Sequence, residues 1–141
     1  EMTLDNIEHN VLRQNYSEPR FHFAVNCASI SCPPLKSEPY IDVRLDQQLV
    51  VATRDFLASD TGIRVEGNYL YVSSLFDWYA EDFVDHYANL VEVTGTVRER
   101  AIAGIIAKYG PSRASHIAQS GRAQVRFLPY DWSLNDLPLS H

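Results

Sequence analysis

Lysine is nearly absent from this chain: two residues against ten arginines, with the arginines spread singly and no basic run. Acidic residues outnumber basic ones 18 to 12, for a formal charge of −6. That balance argues against a general nucleic-acid binder held by phosphate contacts. No apolar run approaches the ~20 residues that a bilayer-crossing helix needs. No signal peptide is visible, since Glu1 opens the sequence without a charged stretch and an apolar stretch behind it, although one could have been removed. Repeats, low-complexity tracts, a Gly-rich phosphate loop, a G-x-S-x-G elbow and an H-E-x-x-H pair are all lacking. What is present suits a soluble core: 45 % hydrophobic and 11 % aromatic residues in 141 positions, enough for one domain over 1–141.

Patterning supplies the elements. Leu4, Ile7, Val11 and Leu12 recur at helical spacing behind Thr3 as cap, which predicts a helix over 4–14. Phe21, Phe23 and Val25 alternate with His22, Ala24 and Asn26, a strand pattern over 21–26. An amphipathic helix follows over 43–57. Two short β-rich runs, 63–66 and 69–73, flank Gly67-Asn68, a hairpin signal. Ser74 stands ahead of a helix over 75–88. Thr96 and Glu99 have capping-box form for a helix that Gly110-Pro111 stops. A short helix near 112–119 and a strand near 124–128 complete the series. The order predicts an α+β fold, a small and mostly antiparallel sheet centred on 21–26 with helices packed on it. Leu128 to Asn135 is expected to pack down, since Tyr130 and Trp132 would otherwise expose large apolar faces.

Two cysteines occur, Cys27 and Cys32. They allow a structural disulfide, and with it an oxidising compartment, or a nucleophile with a partner. Cys27 ends an apolar strand pattern and enters the small-residue loop Ala28-Ser29-Ile30-Ser31, where backbone N–H groups could hold an oxyanion. A thiolate there needs a partner to lower its pKa from about 8.5, and His22 and His9 are the near candidates. Asp131 or Asn135 in the tail could orient the histidine. A zinc site from His9, His22, Cys27 and Cys32 is chemically possible, but neither C-x-x-C nor H-x-x-x-H spacing occurs, so no metal or cofactor is assigned. Asp77, Glu81, Asp82 and Asp85 crowd one helix, most simply as a dipole-complementing and solvated face.

The stretches Ile7-Glu8-His9, Leu12-Arg13, Pro19 to Leu35, Tyr69 to Tyr79, Asp82-Phe83 and Leu128 to Asn135 together resemble the domain of unknown function 547 family. The resemblance covers nearly the whole chain, with its most specific part between His22 and Pro34. It implies little about activity. Family units commonly begin with a further helical part carrying a W-I-N-x-Y-N-like motif, so the chain is expected to match the C-terminal two-thirds of the unit. Bacterial members often look exported, which fits a periplasmic or extracellular setting if the disulfide forms. The motif residues Arg20, Asn26, Trp132 and Asn135 become binding candidates on the same ground. Two functions stand open: a thiol-dependent hydrolase or acyl-transferase using Cys27, or a non-catalytic structural or interaction domain stapled by Cys27–Cys32. The substrate, whether small molecule or peptide, and the oligomeric state are not readable.

Overall fold

The structure, a computed structural model, describes residues 3, 6–25, 29–92 and 95–133. The fold is α+β, with helices packed around a small sheet. Thr3 Oγ1 accepts from the Asn6 N–H at 3.1 Å, as a cap should. The chain then winds as a π-helix over Ile7–Leu12 and continues into α1, Arg13–Asn15. Leu4 and Asp5, the expected first turn, lie outside the described residues.

The expected central strand does not form. Pro19–Phe23 is a 3-10 helix and Ala24 ends it. Pro19 sits at its first position, where no donor is wasted, and the Glu18 carboxylate accepts from the Arg20 N–H at 3.1 Å. The alternation of Phe21, Phe23 and Val25 with His22 and Ala24 does not mark two sheet faces here. All five residues Pro19–Phe23 are buried, including Arg20, which meets the carboxylates of Glu18 and Asp46, and His22, which meets that of Asp82.

A 3-10 turn at Asp42–Arg44 leads into α2, Leu45–Ala58. The hairpin is β1, Ile63–Glu66, paired antiparallel with β2, Tyr69–Val72, around Gly67 at φ +57°. Then come α3, Leu75–Trp78, and α4, Ala80–Tyr87, one expected helix broken at Tyr79. Ser74 does not cap it. Its hydroxyl donates to the Leu128 carbonyl at 2.6 Å, and Ser73 Oγ accepts from the Leu75 N–H instead. The capping box forms as expected at the start of α5, Val97–Tyr109, which Gly110 ends. Helix α6, Ser112–Gln119, leads to β3, Gln124–Phe127.

Strand order is β1-β2-β3, and β3 runs parallel to β2 with Tyr69 opposite Gln124 and Val72 opposite Phe127. The sheet is therefore mixed, where a mostly antiparallel one was expected. Four helices lie between β2 and β3, and so long a crossover returns the chain to the end where β2 began. The core gathers Phe23, Phe56, Leu57, Leu70, Val72, Phe76, Phe83 and the α5 residues Ile102, Ile105 and Ile106, all essentially closed to solvent. Among the described residues no helix is long and apolar enough to cross a membrane.

Candidate functional site

The site is built where the 3-10 turn, the N-terminal helix and the α3–α4 break meet. His22 is closed to solvent, with 1 % of its side chain exposed. Its ring stacks on Tyr79, centroids 4.0 Å apart and planes 14° from parallel, and leans on Phe21 at 4.2 Å. Its Nε2 lies 2.9 Å from Asp82 Oδ2. Arg13 grips the same carboxylate with both arms of its fork, Nε to Oδ2 at 2.7 Å and an Nη to Oδ1 at 3.0 Å. The Arg13 guanidinium also lies over the Tyr79 ring at 5.1 Å. One aromatic ring thus has histidine stacked on it and arginine set over it, while one carboxylate bonds to both.

Burial works to raise the pKa of Asp82, but the hydrogen bonds from Arg13 and His22 outweigh it and hold the carboxyl below its usual value. Asp82 is therefore ionised in the neutral range. An ionised partner on Nε2 favours the tautomer with its proton on that nitrogen, leaving the lone pair on Nδ1. The arrangement can hold a histidine in one orientation, accept a proton on Nδ1, and stabilise the imidazolium that results.

His22 also walls a pocket of about 130 Å3, together with Cys32, Trp78, Tyr79, Tyr130 and Trp132. Residues 29–31 and the tail that carries the pocket residues Tyr130 and Trp132 are stitched to each other. Ile30 N–H donates to the Ser133 carbonyl at 2.8 Å, Ser31 N–H to the Asp131 carbonyl at 3.2 Å, and Asp131 N–H to Ser31 Oγ at 2.7 Å. Ser29 and Tyr130 share a hydroxyl hydrogen bond at 2.9 Å. Cys32 Sγ lies 3.7 Å from the Val25 carbonyl oxygen.

The sequence candidates fare unequally. His22 and Cys32 come together at one pocket, which Trp132 also joins. His9 sits one turn from Arg13, its Nδ1 3.5 Å from the guanidinium, and reaches the site through that residue. Asp131 stands in the tail between Tyr130 and Trp132, but its carboxylate accepts from the Ser133 N–H at 2.9 Å, and hydrogen bonds from the Ser133 side chain and then its backbone hold its pKa down. The carboxylate on His22 is Asp82. Arg20 is buried and held by Glu18 and, at 2.8 Å, by Asp46, so it clamps the 3-10 turn to α2; the Glu18 bond raises its pKa. Cys27, Asn26 and Asn135 lie outside the described residues, and the Cys27–Cys32 pairing with them. Among the described residues no group of three His, Cys, Asp or Glu could hold a metal ion; Asp77 pairs with Arg98 at 3.5 Å.

Asp82, Arg13 and Tyr79 are the members that reasoning along the chain missed. A carboxylate sixty residues from its histidine leaves no local spacing to find. Their one sequence signal is that all three fall inside the family-like stretches.

Residues 1–57 match the model of the family described as Protein of unknown function, DUF547. No curated protein and no solved structure matches the chain.

Proposed function

We propose that the protein is a thiol-dependent hydrolase or acyl-transferase, with Cys27 as nucleophile, His22 as general base and Asp82 as the group that orients the base. The observation that carries this reading is the buried His22 at the wall of a pocket, bonded to the half-buried Asp82 that Arg13 locks. A base oriented by an ionised third group is two-thirds of the arrangement that activates a nucleophile. In the reaction the Cys27 thiol gives its proton to His22 Nδ1 and the sulfur attacks the acyl carbonyl carbon. The bond to the leaving group breaks as that group takes the proton from His22, and a thioester remains. Water or an acceptor, deprotonated by His22, then attacks the thioester and returns the thiol.

The test is a thiol count with and without reductant, followed by alkylation of the reduced protein across pH. Cys27 should alkylate quickly well below pH 8, and His22→Ala should slow it at neutral pH. A rate that follows an ordinary thiol near pH 8.5, indifferent to His22, would remove the enzyme reading.

A second reading has its own support. The bonds between residues 29–31 and the tail show motif residues fastening a loop, which suits a non-catalytic structural or interaction domain stapled by Cys27–Cys32. If no thiol titrates until reductant is added, that reading replaces the first, and an oxidising compartment follows from it.

A further inference from the structure

The pocket beside His22 has a definite chemical character. Besides the histidine and Cys32 it is walled by Val25, Pro33 and Leu75, and among the described residues no carboxylate, lysine or arginine lines it. Its volume is about 130 Å3. A dry apolar cavity of roughly 150 Å3 is known to admit benzene, so this space suits one ring or one branched aliphatic chain and nothing larger. Three aromatic side chains close its outer side. Tyr130 and Trp132 have centroids 4.6 Å apart, Trp78 and Tyr130 4.9 Å, and Trp78 and Trp132 stack at 5.6 Å with planes 23° apart.

That stacking decides between two ligand classes. Three aromatic rings could form a cage for a quaternary ammonium ion, whose attraction comes from ring faces turned toward the cation. Here Trp78 and Trp132 turn their faces to each other. No carboxylate of the lining adds to the attraction. The rest of the lining is Val25, Cys32, Pro33 and Leu75 with the rings of His22, Tyr79 and Tyr130, which favours a neutral apolar group through burial.

We infer that this pocket is the subsite for a small uncharged apolar group of the substrate, a single aromatic ring or a branched aliphatic chain. The inference rests on the proposed thiol reading only in placing that group on the acyl side of the scissile bond. Trp132 is 69 % exposed at the rim while Leu75 is buried at the wall, so the group enters past the tryptophan.

The protein carries its own probe, because its two tryptophans, Trp78 and Trp132, both stand at this pocket. Intrinsic fluorescence of the full chain is titrated with benzyl alcohol, with tetramethylammonium chloride and with methyl glucoside. Benzyl alcohol should give a saturable change and the other two none. Val25→Phe, which fills the space, should weaken that response by about tenfold, the effect of losing burial for one apolar group. Trp132→Ala, at an exposed position where folding is little at risk, keeps Trp78 as reporter and should weaken binding in the same direction. A saturable response to tetramethylammonium in place of benzyl alcohol, an unsaturable response, or equal affinity in both variants would overturn the inference. A parallel assay compares p-nitrophenyl esters of benzoic, isovaleric and palmitic acid. Saturable benzyl alcohol binding without any ester hydrolysis removes the thiol reading and leaves the subsite standing. Hydrolysis that does not favour benzoate or isovalerate over palmitate does the reverse.

Discussion

Two regions of this molecule are held together by different physics. From Leu45 to Phe127 the chain is packed by apolar contact: Phe56, Leu57, Leu70, Val72, Phe76 and the α5 isoleucines are at most 1 % exposed. From Asn6 to Pro33, joined by the tail 128–133, the backbone is π-helix, one α-helical turn, 3-10 turn and loop, and polar groups are buried beside Phe21, Phe23 and Cys32. Of the buried polar residues, Arg20, His22, Ser29 and Ser31 belong to this second region, against Thr53 and Ser73 in the first. A buried polar group is tolerated only with a partner. The second region therefore stands on particular hydrogen bonds where the first stands on volume. Sites are expected where the local rules of pattern and propensity give way, and here they give way around His22.

The comparison breaks first if the packed region proves soft. Phe76→Ala should lower the unfolding free energy by about 3–5 kcal/mol, the range for removing a fully buried aromatic ring. Gly104→Ala should cost about 1–3 kcal/mol, since a Cβ there would stand 2.0 Å from the Tyr87 carbonyl oxygen and force α5 away from α4. Urea unfolding followed by far-UV circular dichroism measures both. Under conditions where the variants stay folded, alkylation of Cys27 should keep its pH dependence. A changed pH profile in Gly104→Ala would mean that the two regions are not separable.

The polar region is sharpened by Asp82→Asn, at the α4 carboxylate that reaches Arg13 and His22 from the packed stretch. This exchange keeps the shape and removes the charge that Arg13 and His22 both meet, so a loss of about 2 kcal/mol is expected, the scale of hydrogen bonds to a charged group. The pH dependence carries the sign. Asp82 has its pKa below the ordinary carboxylate value in the folded state, so its stabilisation is fully present above about pH 4 and fades as pH falls through the folded value. The gap between wild type and variant should therefore close on acidification. A gap that persists unchanged at pH 2 would show that the loss comes from packing. The same variant should slow Cys27 alkylation at neutral pH, which neither Phe76→Ala nor Gly104→Ala should do.

A smaller effect isolates the helix ends. Thr96→Ala removes the capping box of α5, where Thr96 Oγ1 accepts from the Glu99 N–H at 3.2 Å and the Glu99 carboxylate accepts from the Thr96 N–H at 3.0 Å. About 1 kcal/mol should be lost, with alkylation untouched. A slowed alkylation would place α5 in the relay.

The same division governs what the sequence could reveal. Helix α2, the Gly67-Asn68 hairpin, α5 with its cap and stop, α6 and β3 were all legible, because period, turn chemistry and capping are local. The parallel pairing of β3 was not, since it depends on where four intervening helices deliver the chain. At residues 21–26 the period itself deceived: apolar residues at every second position mark a strand face only if the backbone is extended, and here it winds as a 3-10 turn. Arg20 and His22 instead face Glu18, Asp46 and Asp82. Within the site, His22 and Cys32 were reachable by residue type and position, whereas the Asp82 and Arg13 partners are contacts across the fold that no local spacing encodes.

Asp131 provides the smallest and most discriminating test, because it is the tail carboxylate that the chain order offers as the orienting group. Its side chain is exposed and bonds to the Ser133 N–H two residues on, the usual arrangement of an aspartate closing a turn. The tail does not depend on that bond alone, since the Asp131 N–H and carbonyl are both tied to Ser31. Asp131→Ala should therefore leave the unfolding midpoint unchanged within error and leave the pH profile of Cys27 alkylation superimposable on wild type. Run beside Asp82→Asn, it separates two carboxylates that sequence reasoning cannot rank. If Asp131→Ala slows alkylation at neutral pH while Asp82→Asn does not, the relay through Asp82 is structural and the tail supplies the orienting charge. If the slowing belongs to Asp82→Asn alone, the base, its orienter and the arginine that locks them form the working unit, and the tail serves only to close the pocket.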